Sequence, residues 1–381
     1  LDQYDYIFLG AGCASLSLLT RMQQGGLLDR RRVLVIDQAA KTSNDRTWCF
    51  WEKKPGFFEP VLHKQWEQIW FHSPGFSKKF SVSPYRYKMI RSAAFYAYCR
   101  KQLSNTGVEF LTATVTEPMA VNGQFQCKLN DASAVFGATT VFNSLPPEKK
   151  PADKKSIDWL QHFKGWLVKT ATPVFNPNEA VLMDFRVNQS NGACFVYVLP
   201  LDDCHALVEY TLFSGALLEQ AAYDDGLFQY MQSNWPGVAF TVEETEFGII
   251  PMTTRDFPWF ENGMFQIGTA GGQTKASSGY TFQFIQKQSA AITTALQQGA
   301  LNPRSPLGRP SSRFRFYDKV LLTVLEQNYL DGSRVFSQLF EKNPPARIFS
   351  FLDNETSFPQ ELALISSLPT IPFLKAAWRS W

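Results

Sequence analysis

Residues 4–9, YDYIFL, are a short apolar run that stops at a glycine, the pattern of a strand buried on both faces. Leucines at helical spacing follow in SLSLLTRMQQ, and RRVLVID (31–37) reads as a second buried strand. Residues 1–37 therefore predict one βαβ unit. Residues 44–90 change character. They are rich in Trp, Phe, Tyr and Pro, with short alternating stretches such as KKFSV and YRYKM, and predict loops and strands. SAAFYAYCRKQLSNTG (92–107) predicts a helix with a glycine stop, and GVEFLTATV a strand. QFQCKLN, SAVFG and TTVFNSLP predict the separate strands of a meander, and the polar stretch PPEKKPADKK (146–155) a linker or exposed loop.

Residues 163–213 predict an antiparallel sheet built from FKGWLVKT, AVLMDFRV, ACFVYVLPL and HALVEYTLF. The last alternates: Ala206, Val208 and Tyr210 on one face, Leu207, Glu209 and Thr211 on the other. A carboxylate on that face is either at a wet sheet edge or placed in a cavity. Residues 215–231 predict a helix, 240–250 a strand, 280–299 a long helix, and the remainder to 381 several short helices. MFQIGTAGG (264–272) repeats the theme of a strand followed by glycines, and no internal sequence repeat is evident.

Composition narrows the function. At roughly 100–200 residues per domain, 381 residues predict two domains, or one large domain with an insertion. With 45% hydrophobic and 19% charged residues the chain is not disordered, and a formal charge of +3 gives no reason to expect nucleic acid as a partner. Aromatic residues reach 15%, with 33 Phe and 10 Trp, more rings than an ordinary core needs; a large apolar ligand or a cation would use them. Six cysteines and four histidines are scattered without ligand spacing, so neither a metal site nor a disulfide framework is expected, and a reducing, cytoplasmic compartment is. The first residues show no basic-then-apolar leader. The longest apolar stretch, LALISSLPTIPFL (362–374), is broken by two prolines, so a soluble or peripherally attached protein is expected.

Gly10-Ala11-Gly12-Cys13-Ala14-Ser15 matches GxGxx(G), between a predicted strand and a predicted helix. Gly10 allows the tight turn, Gly12 lets backbone approach a pyrophosphate, and Ser15 is small enough for helix–strand packing. Asp37 ends the second strand, 22 residues after Ser15, where an acid takes ribose hydroxyls. This context predicts dinucleotide binding. GTAGG (268–272) resembles the second glycine turn of glutathione-reductase-like flavoproteins and favours FAD. Many of those proteins read GDAA there; Thr269 replaces the acid with an uncharged hydroxyl. Gly268, Thr269, Gly271 and Gly272 are thus cofactor candidates, with Arg46 and Arg91 near the pyrophosphate or ribityl and Val115 as a backbone contact to adenine. The expected architecture is α/β: a Rossmann-like FAD-binding domain (1–150 and 240–300, with inserted strands at 60–90), an antiparallel-sheet substrate domain (151–239) and a helical C-terminal region (301–381).

Several stretches together resemble the lycopene cyclase family of FAD-dependent carotenoid enzymes: YDYIFLGAGCASLSLL, VLVID, NDRTWCFW (44–51), YRYKMIRSAAFY (85–96), FVYVLPLD (195–202), LVEYT (207–211), EFGIIPM (246–252) and GTAGGQTKASSGYTF (268–282). The resemblance implies conversion of the linear ψ end groups of lycopene into β-ionone rings. It implies a net isomerisation that needs reduced FAD, kept reduced by NAD(P)H or another donor, and a peripheral membrane location, because the substrate dissolves in lipid. The chemistry implied is protonation at C2, attack of the C5=C6 double bond on the C1 cation, and loss of a proton from C6.

Glu209, in LVEYT, aligns with the first acid of the plant FLEET motif and is the candidate acid. Tyr210 stands where relatives carry a second acid, and is a candidate for the substrate pocket. Glu246 in EFGIIPM is a second candidate carboxylate, and Trp48, Phe50 and Trp51 are candidates for cation–π stabilisation. Two rival readings share the fold. One is a flavin-dependent hydroxylase or reductase of an isoprenoid, against which count Asn143-Ser144 and Thr269 in place of the usual acids. The other is a non-catalytic carotenoid-binding flavoprotein.

Overall fold

The computed structural model describes residues 2–146, 156–308 and 311–380. β1 (Gln3–Leu9), α1 (Cys13–Gln24) and β2 (Val33–Asp37) make the βαβ unit, with β1 and β2 parallel neighbours. Four of the five β2 residues are buried, which is why the run reads as continuously apolar. The chain then leaves this sheet through β3 (Thr47–Glu52), β4 (Lys64–Trp66), β5 (Gln68–Ser73), β6 (Phe76–Ser81) and β7 (Arg86–Arg91). α2 (Ser92–Leu103) leads back to β8 (Val108–Thr112), which lies parallel beside β2.

β9 (Val115–Val121), β10 (Gln124–Leu129) and β11 (Ala132–Asn143) follow. The segments SAVFG and TTVFN, expected as separate strands, are one strand. Its first half runs antiparallel to β10 and its second half parallel to β1, and Gly137 pairs with both Gln124 and Gln3 where the two ladders overlap. The predicted linker lies, from residue 147 to 155, outside the described residues.

A second, seven-stranded sheet contains β12 (Asp158–Thr170), β13 (Glu179–Asp184), β14 (Ala193–Pro200) and β15 (His205–Ser214). After α3 (Gln220–Asn234), β16 (Phe240–Thr253) joins it, giving the order β16-β12-β15-β14-β13-β5-β6. β16, placed on the nucleotide-binding side by the sequence reading, thus pairs along its length with β12, and the hairpin β5–β6 completes the far edge by a parallel pairing with β13. β3, β7 and β4 form a small sheet of their own. β17 (Phe260–Glu261) and β18 (Met264–Gln266) return to the first sheet, where β18 pairs parallel with β11.

The long helix α4 (Phe282–Gln297) packs on α1. α5 (Ser312–Glu326), α6 (Gly332–Lys342), α7 (Pro345–Leu352), α8 (Phe358–Ile365) and α9 (Thr370–Ser380) form the helical C-terminal region. The seven-stranded sheet is covered on both faces, so all eight residues of β14 are buried. On one face α3 offers Tyr223, Leu227, Tyr230 and Met231, at helical spacing, to Val196, Val198, Val208 and Tyr210. Truncating the fully buried Leu227 to alanine costs about 2–5 kcal/mol. On the other face α6 stacks Phe336 on Phe185 and Phe340 on Phe71. Leu207 and the strand β3 residue Trp51 belong to that second core.

Candidate functional site: two glycine turns and a carboxylate pair

β1 ends at Gly10, whose φ of +88° is the left-handed region that glycine tolerates. Gly12 caps α1 without any side-chain hydrogen bond, and the first turn carries no acid. The first amides of α1 are therefore left for an anion, in the positive field of the helix N-terminus. Nothing lies within 4 Å of where a Gly12 Cβ would be, so the approach is open. Ser15 is buried and packs its Oγ 3.0 Å from Ser144 Oγ, the helix–strand role its size predicts. Asp37 braces the turn: Oδ2 accepts the Ala11 amide at 2.7 Å and Oδ1 the Ala39 amide at 2.8 Å.

The second glycine turn, Gly268–Gly271, meets the first. Gly268 has φ +60°, its amide donates to Gln288 Oε1, and a Cβ there would stand 2.6 Å from Ala14 Cβ in the first turn of α1. Gly272 (φ +72°) ends the turn, Gly271 lies against Gln266, and the Thr269 hydroxyl lies 3.5 Å from that of Thr274. The two turns are thus packed side by side. This cradle fits a dinucleotide: α1 would hold the pyrophosphate, Asp37 the ribose, and residues 268–272 the opposite end. Val115 starts β9, pairs with Leu129, and follows closely on Ala113, whose amide bonds Asp37 O.

The carboxylates are brought together by strand register. Gly165 on β12 is directly opposite Glu209 on β15 and directly opposite Glu246 on β16. The two glutamates therefore lie on the same face, one on each side of a residue without a side chain. Each bears on the ionisation of the other. Glu209 lies deep in the protein yet keeps some accessible surface. Thr211 Oγ1 donates to Glu209 Oε1 at 2.8 Å, and Thr47 Oγ1 donates to Glu246 Oε2 at 2.8 Å. Glu246 Oε1 is buried with no donor of its own, the position at which a proton on either carboxyl would be accepted or carried.

Burial, and then the nearby Glu246 charge, push the Glu209 carboxyl up to about 8. Burial raises Glu246 as well, but the Thr47 hydroxyl and the Arg91 and Arg46 guanidiniums favour its ionised form. Both carboxyls end above the ordinary range, but only Glu246 has guanidiniums that offset its burial, so Glu209 is the better placed of the two to keep a proton. Arg46 and Arg91 act here. Arg46 Nη1 bonds the carbonyls of Asp45 (2.7 Å) and Phe247 (3.0 Å), and Arg91 Nη2 pairs with Glu244 Oε2 at 2.6 Å, tying β3 and β7 to β16.

The family model described as lycopene cyclase protein matches residues 5–378. The chain belongs to that family. It is similar to a lycopene beta-cyclase of Pantoea ananas, 22% identical over 392 residues, covering 98% of this chain and 97% of the relative. Among solved structures it resembles a flavoprotein/dehydrogenase from Cytophaga hutchinsonii, with a TM-score of 0.66, 12% identity, and 100% and 99% of the two chains covered. It also resembles a geranylgeranyl bacteriochlorophyll reductase-like protein from Thermoplasma acidophilum, with a TM-score of 0.58, 11% identity, and 100% and 97% covered. At these identities the structural likeness fixes the fold, an α/β flavoprotein type.

In this lycopene cyclase family chain the predicted aromatics divide by strand parity. Trp48 and Phe50 lie on the face of β3 turned away from the carboxylates. Trp48 packs edge-on against Phe95 at 5.2 Å and Phe50 stacks on Phe282 at 4.3 Å, inside the core under α1, α2 and α4. Trp51 is on the other face with Cys49, stacked on Phe349 at 4.3 Å, its Nε1 donating to Asp353. Tyr210 is also set apart from the pair. Alternation along β15 sends its ring against α3, where a Gly226 Cβ would come within 2.9 Å of it.

The rings that accompany Glu209 are others. Tyr197 is its cross-strand neighbour on β14, and Tyr280, edge-on to Trp51 at 4.5 Å, lies within electrostatic reach of Glu209. Burial pushes both phenols up, so they stay neutral. Sequence reasoning missed them, along with Thr47, Thr211 and Gly165. A glycine inside the strand FKGWLVKT was the one available signal, since an interior strand glycine marks a close approach.

Proposed function

We propose that this protein is a lycopene β-cyclase that closes the ψ end groups of lycopene by acid initiation, without net redox change. The observation that carries the reading is the Glu209–Glu246 pair over Gly165: two carboxyls that burial holds above the ordinary range, Glu209 up to about 8, with only Glu246 offset by neighbouring guanidiniums. Glu209 delivers its proton to C2 of the ψ end. The C5=C6 double bond closes on the C1 cation, and loss of the C6 proton to the carboxylate pair completes the β ring. The pair gives one proton and recovers one, so it ends as it began. Tyr197 and Tyr280 supply ring faces and exclude water beside Glu209.

The two glycine turns and Asp37 would hold FAD, which in its reduced form would supply negative charge to stabilise a cation. NAD(P)H is the proposed source of electrons. Contact with a membrane surface suits a substrate dissolved in lipid. On α9, Ile371, Leu374 and Trp378 share one face and are 81%, 64% and 89% exposed, flanked by Lys375 and Arg379. Among the described residues no helix is long and apolar enough to cross a membrane.

The test is anaerobic incubation of the purified protein with lycopene in liposomes, with the flavin reduced or oxidised, followed by chromatography and mass spectrometry. Ring formation at unchanged mass, with reduced flavin alone, is the expected result. A product heavier by oxygen or hydrogen overturns the reading in favour of a hydroxylase or reductase.

A further inference from the structure

We propose that Gly165 is a positioning residue: the missing side chain at this one place on β12 is what lets Glu209 and Glu246 meet across the intervening strand and act as a single proton-sharing unit. The inference rests on the reading of the pair given above and adds the device that assembles it.

Neighbouring strands lie about 4.8 Å apart, so the backbones of β15 and β16, two strands apart, are separated by about 10 Å. Any side chain at the shared position of β12 rises between the residues on either side. The rows before and after show this. Phe163 stands between Thr211 and Gly248, and Leu167 between Leu207 and Glu244. Phe163 fills its row so fully that a Cβ on Gly248 would lie 2.2 Å from its ring. Only the row of residue 165, between these two bulky ones, is open. A Cβ at Gly165 would stand 3.0 Å from Glu246 Cγ, 3.4 Å from Glu246 Oε1 and 3.2 Å from Leu207 Cδ1. The gap is filled by the Glu246 side chain, with Leu207 beside it. Thr47 and Thr211 each fix one outer oxygen, which leaves Glu246 Oε1, without a donor, over the glycine.

Other charged and titratable groups reach the pair from every packed element: Arg46 before β3, Arg91 on β7 with its partner Glu244, Cys49 on β3, Tyr197 on β14, and Tyr280 ahead of α4. None of them is on β12, the strand that separates the two carboxylates; Gly165 is.

The experiment compares flavin-loaded wild type with Gly165→Ala and Gly165→Val. The protonated-carboxyl infrared band is titrated, with Glu209→Gln to assign it, and the pH profile of turnover is recorded alongside. In the wild type the band persists to about pH 8. In the glycine variants its titration moves down by about one pH unit or more, as expected when two coupled groups are separated, and the turnover profile moves with it. Glu246→Gln, which removes the partner without touching the strand, gives a shift of the same sign. A folded Gly165→Val protein whose band and profile do not move overturns the inference; should valine prevent folding, Gly165→Ala decides it by the same criterion. The infrared titration needs no lycopene. If the band shifts as stated but the wild type does not cyclise lycopene, the functional reading fails and the positioning role stands. If the wild type cyclises and the band stays, the positioning role alone fails.

Discussion

Two carboxyl groups buried in the same seven-stranded sheet are held in opposite states. Asp184, at the end of β13, is fully buried. Burial works to raise it, yet Arg186 grips both its oxygens (2.6 and 2.9 Å), the Arg186 amide adds a bond at 3.0 Å and Tyr230 a fourth at 2.9 Å, so the group ends below the ordinary carboxylate range. Glu209, two strands away on β15, receives one hydroxyl and the charge of a second carboxylate, and is pushed up to about 8. Burial is common to both. What differs is the sign and number of the partners. Asp184 is a fastener, its charge satisfied and its geometry locked; Glu209 is a stored proton, which is the pattern of a working site.

The comparison breaks most visibly at Glu209. Replacing it with Gln should lower cyclisation by about 10²–10⁴-fold, with flavin content unchanged as read from the absorbance spectrum. A variant that keeps most of its turnover would put the acid elsewhere. Next in size is Arg186→Met. It strands the buried Asp184 charge and should cost about 1–3 kcal/mol in urea denaturation, limited because Arg186 is itself 43% exposed and Tyr230 remains as donor. Adding Asp184→Asn should recover part of that loss.

The two groups also predict opposite pH limbs. Folding raises Glu209 from an ordinary 4.5 to about 8, so the native state holds a proton the unfolded chain has released. That contribution is fully present at acid pH and is lost as pH rises through about 8. Glu209→Gln should flatten this limb. Asp184, lowered from 3.8, contributes stability above that value and loses it as pH falls below. Asp184→Asn should flatten the acid limb instead, in denaturation curves at fixed flavin concentration. The smallest effect is expected from Tyr210→Phe. Its ring faces α3, so turnover should stay unchanged; a large loss would mean that β15 presents both faces to the reaction.

Much of the frame was legible because short-range rules decide it. The βαβ unit, the turn at Gly10 and the alternation that sends Glu209 and Tyr210 to opposite faces follow from periods of 3.6 and 2 and from glycine's freedom. The family resemblance singled out Glu209 and Glu246 separately. Their meeting was not legible, because it depends on two registers, β12 against β15 and β12 against β16, which no local pattern specifies. Trp48, Phe50 and Trp51 were grouped by proximity in sequence, although strand parity divides them between two cores. The expectation that Arg46 and Arg91 sit by the cofactor saw their position after a strand and before a helix. It missed that both close onto β16 and bear on Glu246.

The parallel pairing of β5 with β13 sets a timetable for the chain as it is made. Gln68 pairs with Glu179, 111 positions later. At a synthesis rate of roughly 5–20 residues per second, the β5–β6 hairpin leaves the ribosome several seconds before its neighbour exists. Until then β5 has an unpaired edge, and its buried Ile69 and Phe71 have no sheet to enter. The first sheet waits longer still, since β18 reaches β11 only at residues 264–266. Neither half can be finished first and set aside. Nascent-chain protease sensitivity at β5–β6 should therefore persist until β13 has emerged.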